Sequence, residues 1–413
     1  MKSIANLKKH QIFLSDSHLK TILKESKTRN KEFSYKESDF FLDYSKTHLD
    51  KKAIMLLNKL AEDRKVEEKL KDLLNGERMN YTENRPALHF AWRASAKNDV
   101  RSEGRSVMPE ILETRNKMKK ICEDISSGKK VGATGKRFLD IVHIGIGGSF
   151  LPVKSLINSL SKYKKAGMGI YFIENLDGKE LDEVKTKLQP ETTLFVISTK
   201  SFRTRETMLN ASYIKEWIDD NIETGAYRQH MICATANVKN AHQFGILEEN
   251  ILPYKNWVGG RFNSFSPASI TLPLLCGWEC YERILQGGEA IDLVAKKTAI
   301  TDFLPYKMAM ISVWYRNFWN TTTEGIFPYS KSLGGIIKLI QMLSYESNGK
   351  PTENLGSPFV FGEVGSGCEH SLFQKFLQNP EKTLSTFILV KNAMEKGKEE
   401  MQKTTNAHAI GFA

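Results

Sequence analysis

The sequence predicts an α/β protein built from parallel sheets covered by helices on both faces, in three layers. Two observations lead there. From Lys136 onward, short continuous apolar runs alternate with amphipathic helical stretches, the pattern of strands buried on both sides. The first of these runs, residues 138–151 (FLDIVHIGIGGSFL), passes from an apolar strand through a glycine turn into a helix, with Ser149 standing where a helix N-cap would be. Such a joint aims backbone N–H groups and a helix dipole at one point, which suits an anion. A second parallel sheet is predicted to begin with FILVKN, at Phe387.

In chain order, residues 1–75 read as polar helices. Ile54, Leu56, Leu57, Leu60 and Ala61 form an apolar stripe, and Gly76 ends the run. Pro86 is expected to start a short helix carrying Leu88, His89 and Trp92. Residues 107–125 form an amphipathic helix. Strands follow at 138–144, 169–174, 193–198 and 230–234, with helices at 151–162, 179–188, 205–221 and 238–246. A turn-rich loop, 253–269, leads into a helix at 267–278, and 289–319 is helical again. Residues 333–344 make an apolar helix with Glu346 just beyond its end. Residues 353–377 then read as strand, glycine-rich turn and helix, with His370 at the helix start.

At 413 residues the chain is long enough for two or more domains with cores of their own. The formal charge of +12 comes mostly from lysines scattered beside acids, the mark of a solvated surface rather than a nucleic-acid face. The five cysteines, Cys122, Cys233, Cys276, Cys280 and Cys368, are odd in number and fit no disulfide framework, which points to a reducing, cytoplasmic setting. Cys276 and Cys280 share a helix face, but no further ligand completes a zinc site, so both are expected in the core. Residues 1–14 lack the apolar run of a signal peptide. The longest apolar run, 268–278, is too short to cross a membrane.

Four stretches carry chemistry. The glycine turn at 145–148 with Ser149 lacks the spacing and ribose-binding acid of a dinucleotide site, and a purely structural turn explains it as well. Residues 199–207 (TKSFRTRET) follow a strand and open a helix. Thr199, Ser201 and Thr204 supply hydroxyls and Lys200 a charge, a set that fits a phosphate, with helix capping as the plain alternative. In WVGGRF, Gly259 and Gly260 permit close backbone approach and Arg261 brings a fixed cation. Glu346 and His370 form a carboxylate and imidazole pair of the kind used to move protons beside a carbonyl. Each of these residues taken singly has a structural explanation. Two anion-suited loops on adjacent strand–helix units strengthen one another.

Taken in order, these motifs resemble the glucose-6-phosphate isomerase (phosphoglucose isomerase) family. The resemblance runs from about residue 40 to 374. It comprises LDYSK, TENRPALHFAWR, HIGIGGSF, ENLDG, LFVISTKSFRTRETMLNA, NWVGGRFNSFS, ESNGK and GEVGSGCEHSLFQ. It implies two sugar-isomerase-type domains, 108–288 and 289–413, with residues 1–107 as a helical region packed on the second. It implies interconversion of glucose 6-phosphate and fructose 6-phosphate without metal or organic cofactor. It also implies a homodimer in which His370 is donated across the interface. Carried over residue by residue, Gly148, Ser149 and Gly260 contact substrate, and Thr199, Lys200, Ser201 and Thr204 hold the phosphate. Glu206 helps orient the site and Arg261 stabilises the enediolate. Glu346 is the base that shuttles the proton, and His370 assists ring opening.

Some positions depart from the family pattern. Thr199 replaces a serine, Asn263 stands where serine or threonine is usual, and Met342 occupies the place of a substrate-contacting glutamine. The family's closing Gln-x-Gly-Val-Glu-x-x-Lys segment, whose lysine completes the site, has no counterpart before Ala413. The chain is therefore expected to be an incomplete copy, or a shortened relative that binds sugar phosphate with weak or no catalysis. Its second sheet is expected to be incomplete.

Overall fold

A computed structural model describes residues 2–350, 356–378, 381–393 and 395–413. The chain divides into two compact units. The first comprises Met1–Asp72, Ile291–Ile337 and Ser344–Ala413; the second comprises Leu73–Ala290 and Lys338–Leu343. Residues 73–107, which the sequence reading places in the amino-terminal region, group with the second unit.

The second unit is built on five parallel strands: β1 (Asp140–Ile144), β2 (Gly169–Ile173), β3 (Thr193–Ser198), β4 (Met231–Thr235) and β5 (Ile251–Pro253). Their order in the sheet is β2-β1-β3-β4-β5. All six residues of β3 are buried, which explains why TLFVIS reads as a continuous apolar run rather than an alternating one. Helices Leu151–Ser159, Gly178–Lys187, Arg205–Asn221 and Val238–Phe244 follow the first four strands. Their apolar faces bury Val184, Ala211, Ile214 and Ile218 against Val142, Ile144, Phe195 and Ile197. Each such valine, isoleucine or phenylalanine side chain contributes about 1.5–3 kcal/mol on leaving water. Local signals set the helix ends. Asp177 accepts from the Lys179 N–H at 3.0 Å, Asn237 accepts from the Asn240 N–H at 3.1 Å, and Gly245 closes the helix Val238–Phe244 in the left-handed region at φ 102°.

The strand order has a consequence for ligands. From β1 the chain moves to one side, to β2; from β3 it moves to the other, to β4. The loops that leave β1 and β3 therefore diverge, and a crevice opens at their carboxyl ends. Those ends lie abreast, with Ile144 opposite Ile197. Both anion-suited loops begin there.

Among the described residues of the first unit, two cores stand out. One joins Leu7, Phe33, Leu49 and Leu57 to Trp314, Tyr315 and Trp319. Buried Arg29 ties it to the chain that follows, donating to the carbonyls of Ser45, Thr47 and Leu49 at 2.7 Å each. The other core gathers Phe327, Tyr329, Cys368 and Phe373 beneath a parallel sheet with β6 (Thr323–Pro328) in the middle, flanked by β7 (Phe359–Gly362) and β8 (Leu384–Ile388).

Several expectations need correction. The first 75 residues hold a hairpin, Ser34–Glu37 with Phe40–Asp43, among the helices. Pro86 starts no helix; a 3-10 turn, His89–Arg93, begins three residues later. The helix expected at 267–278 is broken by Gly277, whose φ of 87° separates Thr271–Cys276 from a long helix, Trp278–Lys297. The run 289–319 is interrupted at Ile300–Asp302, and Leu304–Phe318 restarts with a proline in its first turn. The second sheet begins earlier than FILVKN, because β6 was hidden by Gly325 and Pro328, both poor strand formers. The helix expected at 333–344 runs Gly335–Asn348 and ends at Gly349, so Glu346 lies in its last turn rather than beyond it. Residues 353–355, at the head of the predicted strand–turn–helix segment, lie outside the described residues.

One buried polar residue pins β1 to its surroundings. His143 is fully buried and bonded at both ring nitrogens: Nε2 to the Ser149 carbonyl at 2.8 Å and Nδ1 to the Thr271 hydroxyl at 2.8 Å. A carbonyl can only accept, so Nε2 carries the proton and Nδ1 accepts from Thr271. Burial pulls the imidazole pKa from 6.5 down to about 4, and the bond to Ser149 offsets this only in part. The folded protein thus keeps His143 neutral where the unfolded chain would protonate it. Its stabilising contribution is fully present above pH 6.5 and is lost as pH falls toward 4, by about 3 kcal/mol. Urea unfolding from pH 7 to pH 4.5 should therefore show a shallower loss of stability in His143→Gln than in the parent. Equal slopes would show that His143 is not the titrating group.

Candidate active site

The loop leaving β1 is shaped by glycine. Gly145 donates to the Ile173 carbonyl at 3.2 Å, and Gly147 sits in the left-handed region at φ 53°. A 3-10 turn, Gly147–Ser149, follows. Ser149 is therefore not the helix cap that the sequence suggests. Phe150 occupies that position and supplies no capping side chain, because the 3-10 turn inserts ahead of the helix. Ser149 is half-buried, with its carbonyl held by His143.

Gly148 meets the WVGGRF segment backbone to backbone. A Cβ on Gly148 would lie 2.3 Å from the Gly260 carbonyl carbon and 2.6 Å from the Arg261 nitrogen. The 3-10 turn Gly260–Phe265 that receives it is anchored by Asn263, which is fully buried. Asn263 Nδ2 donates to the Gly148 carbonyl at 3.4 Å, and its Oδ1 accepts from the Ser266 hydroxyl at 2.9 Å. Its own carbonyl accepts from Ser269 Oγ at 2.6 Å. The amide at 263 ties Gly148 and Ser266 together through two separate atoms, which gives the departure noted in the sequence a structural use. Arg261 is half-buried with its Cζ 5.0 Å from the Phe262 ring centre, and the other neighbour of that ring is His89, stacked at 4.1 Å. Burial draws the His89 imidazole down to about 3, and Arg93 and Arg261 push the same way, so a neutral ring faces the arginine.

The loop leaving β3 is held from behind. The Thr199 N–H donates to the Ala234 carbonyl at 3.1 Å. The Lys200 carbonyl accepts from the Ala236 N–H and the Thr235 hydroxyl, and the Ser201 carbonyl accepts from Asn237 Nδ2. Phe202, buried, turns the chain at φ 49°. Carbonyls of the loop are thus tied to the end of β4 and the segment after it, which fixes its backbone. Thr199 and Thr204 hydroxyls lie 3.4 Å apart. Thr204 is the N-cap of Arg205–Asn221, yet its side chain makes no capping bond, which argues against capping as the use of this hydroxyl. Ser201 Oγ accepts from the Arg203 N–H at 3.2 Å. Glu206 stands half-buried in the first helical turn.

The ammonium pKa of Lys200 is lowered by burial first and then by Arg85; Glu83 opposes, and Arg261 lowers it further. This brings in two residues that the sequence reading did not select, Glu83 and Arg85, which pair with one another. Their signal was present in TENRP, a charged turn inside a motif, but nothing in the sequence places that turn beside the β3 loop. Within the second unit, then, the structure brings together Gly148, Ser149, Gly260 and Arg261 on one side, and Thr199, Lys200, Ser201 and Thr204 on the other. Lys200 and Arg261 are electrostatically coupled.

Glu346 and His370 belong to the first unit. Glu346 is exposed in the last turn of Gly335–Asn348. His370 does not start a helix; it is the exposed last residue of a 3-10 turn, Gly367–His370, ahead of Phe373–Gln378. The turn is fixed by its neighbour Glu369, which accepts from the Tyr329 hydroxyl at 2.8 Å and pairs with His408 at 3.1 Å. Met342 is buried.

The closeness of Gly148 to Gly260 gives a direct test. Gly148→Ala should destabilise the protein by about 1–3 kcal/mol through overpacking against backbone, read from urea midpoints, and should weaken fructose 6-phosphate binding in calorimetry. Gly147→Ala, with open space beside it but a positive φ, should cost stability only through backbone strain, about 1 kcal/mol.

Comparison with known proteins gives the family and the fold. The family model described as phosphoglucose isomerase matches residues 43–412. The glucose-6-phosphate isomerase of Christiangramia forsetii is 34% identical over 409 residues, covering 97% of this chain and 75% of that protein. The glucose-6-phosphate isomerase of Buchnera aphidicola subsp. Cinara cedri is 36% identical over 392 residues, covering 93% of this chain and 72% of the relative. A crystal structure of a glucose-6-phosphate isomerase from Chlamydia trachomatis matches the fold with a TM-score of 0.87 at 24% identity, covering 100% of this chain and 81% of that one. The chain belongs to the phosphoglucose isomerase family.

Proposed function

We propose that the protein interconverts glucose 6-phosphate and fructose 6-phosphate through an enediolate. The observation that carries this reading is the pair of loops at the divergence of β1 and β3. A hydroxyl loop carrying Lys200 leaves β3, and a glycine turn packed against the Arg261 segment leaves the adjacent β1. A phosphate dianion needs hydroxyls, N–H groups and nearby positive charge, all supplied by Thr199, Lys200, Ser201, Thr204 and the helix start at Arg205. Ser149 and the backbone of Gly148 and Gly260 contact the sugar, and Glu206 orients the loop.

Arg261 stabilises the negative charge that develops on the enediolate oxygens. Its guanidinium is held beside Phe262 before substrate arrives, so little reorganisation accompanies the reaction. Glu346 is the base that carries a proton between carbons 2 and 1, and His370 assists ring opening. Both assignments rest on their places in the family motifs ESNGK and GEVGSGCEH. In this reading the protein works as a cytoplasmic homodimer that donates His370 across the interface. The five free cysteines suit a reducing compartment, and no helix among the described residues is long and apolar enough to cross a membrane.

The test separates binding from chemistry. Glu346→Gln should leave the fructose 6-phosphate dissociation constant within about threefold of the parent and lower kcat at least about 10³-fold in a coupled isomerase assay. Persistent turnover in that variant would remove Glu346 as the base. Binding without turnover in the parent itself would reduce the protein to a sugar-phosphate binder.

A further inference from the structure

The turn that carries His370 is clamped through its neighbours on both sides. In Gly367–His370 the Glu369 side chain is only 7% exposed, while His370 is open to solvent. One Glu369 oxygen accepts from the Tyr329 hydroxyl at 2.8 Å, and the other meets His408 Nδ1 at 3.1 Å. Ser371, on the far side of His370, donates from Oγ to Glu363 Oε2 at 2.9 Å. Tyr329 is fully buried just after β6, and its N–H donates to the Ile388 carbonyl at the end of β8, at 2.8 Å. Burial first, and then the carboxylate it serves, raise the Tyr329 hydroxyl well above its ordinary range, so it stays a donor. Glu369 thus joins the turn to the sheet through Tyr329, and to the helix Glu399–Phe412 through His408.

That helix is lightly held. Ala409 is buried in the core, whereas Met401 and Ile410 are exposed. Phe412 packs edge-on against Phe373 at 4.7 Å, and Asn406 Nδ2 donates to the Val390 carbonyl at 2.9 Å. Neither contact touches Gly367–His370. The His408 contact does, and it lands on the residue next to His370. Half open to water, it adds little stability. Its effect is geometric. A carboxylate fixed by partners on two separate elements takes one orientation, and the backbone it belongs to is set with it. A group that exchanges a proton with a sugar oxygen depends on such placement, since an error of about 1 Å costs on the order of a hundredfold in rate.

We propose that Glu369 and His408 are positioning residues for His370: the carboxylate, fixed between Tyr329 and His408, sets the turn from which His370 acts in ring opening. This rests on the reading of His370 as the ring-opening residue. Exchange between the anomers of fructose 6-phosphate, followed by NMR in the full chain, reads ring opening and closure without movement of a carbon-bound proton. His408→Ala should slow that exchange about tenfold, with KM for fructose 6-phosphate within about twofold of the parent. Glu369→Ala should slow it further, because both anchors go. The double variant should be no slower than Glu369→Ala, because the two residues act through one contact. His408→Asn, whose amide nitrogen takes the place of Nδ1, should recover most of the rate.

A role confined to docking the helix predicts a different pattern. His408→Ala and Asn406→Ala would then both lower the urea midpoint, with no change in exchange by the folded protein. Slowing in His408→Ala, recovery in His408→Asn and an unchanged rate in Asn406→Ala support the proposal. Unchanged exchange in His408→Ala, no recovery in His408→Asn, or equal slowing in Asn406→Ala overturns it. His370→Ala is the reference. If the parent shows no exchange, or His370→Ala leaves it unchanged, the ring-opening role of His370 falls and this inference with it. If His370→Ala slows exchange and His408→Ala does not, the inference alone falls. Should His408→Ala not fold, His408→Gln, whose amide lies at the place of Nε2 and not of Nδ1, serves as the disrupting variant.

Discussion

Much of the second unit's ligand edge depends on two stretches of backbone meeting with no side chain between them. Gly148 lies against the carbonyl of Gly260 at a distance where a single carbon atom would collide. That contact locates the turn after β1, fixes the start of the segment bearing Arg261, and leaves the buried Asn263 to bridge the two. Behind it, His143 and Thr271 hold the same turn from the core side through the Ser149 carbonyl. The arrangement couples a strand, a turn and a distant loop through a few short polar contacts. A change of one methyl group at Gly148 therefore reaches all three.

The sheet of the second unit was legible because its strands are buried on both faces, and burial of that kind leaves uninterrupted apolar runs in the sequence. Residues 193–198 were read with the correct limits, and the helix at 205–221 matched as well. The hairpin within residues 34–43 was not legible, since four-residue strands with exposed Phe40 and Phe41 carry no alternating pattern. Nor was β6, whose central place in its sheet is decided by tertiary pairing with β7 and β8 against the local preferences of Gly325 and Pro328. Ser149 was misplaced by a single residue, because a 3-10 turn and an α-helix start share the same signals.

The candidate site was legible to an unequal degree. Residues 199–204 announce themselves by composition and by their place after a strand. Glu83 and Arg85 do not, because nothing in the sequence ties their charges to Lys200, more than a hundred residues later in the chain. Asn263 read as an oddity, and became intelligible only when its amide was seen to need both a donor and an acceptor direction. His143 gave no signal at all: one histidine inside an apolar strand reads as a core residue until both ring nitrogens are seen to be committed.

The 199–204 loop is fastened by its carbonyl groups to the segment after β4, and this has a thermodynamic meaning. A loop that is already ordered surrenders little conformational freedom when a guest arrives, so most of the interaction energy is available for affinity. In the phosphate-binding role proposed for it, such a mould discriminates by charge and by the number of acceptor oxygens more than by the length of the carbon chain attached. Selection among sugars would then fall to the walls of the pocket and not to its anchor. The same fixed anchor is compatible with a ring form and an open-chain form of one substrate, whose phosphate can stay in place while the carbons rearrange.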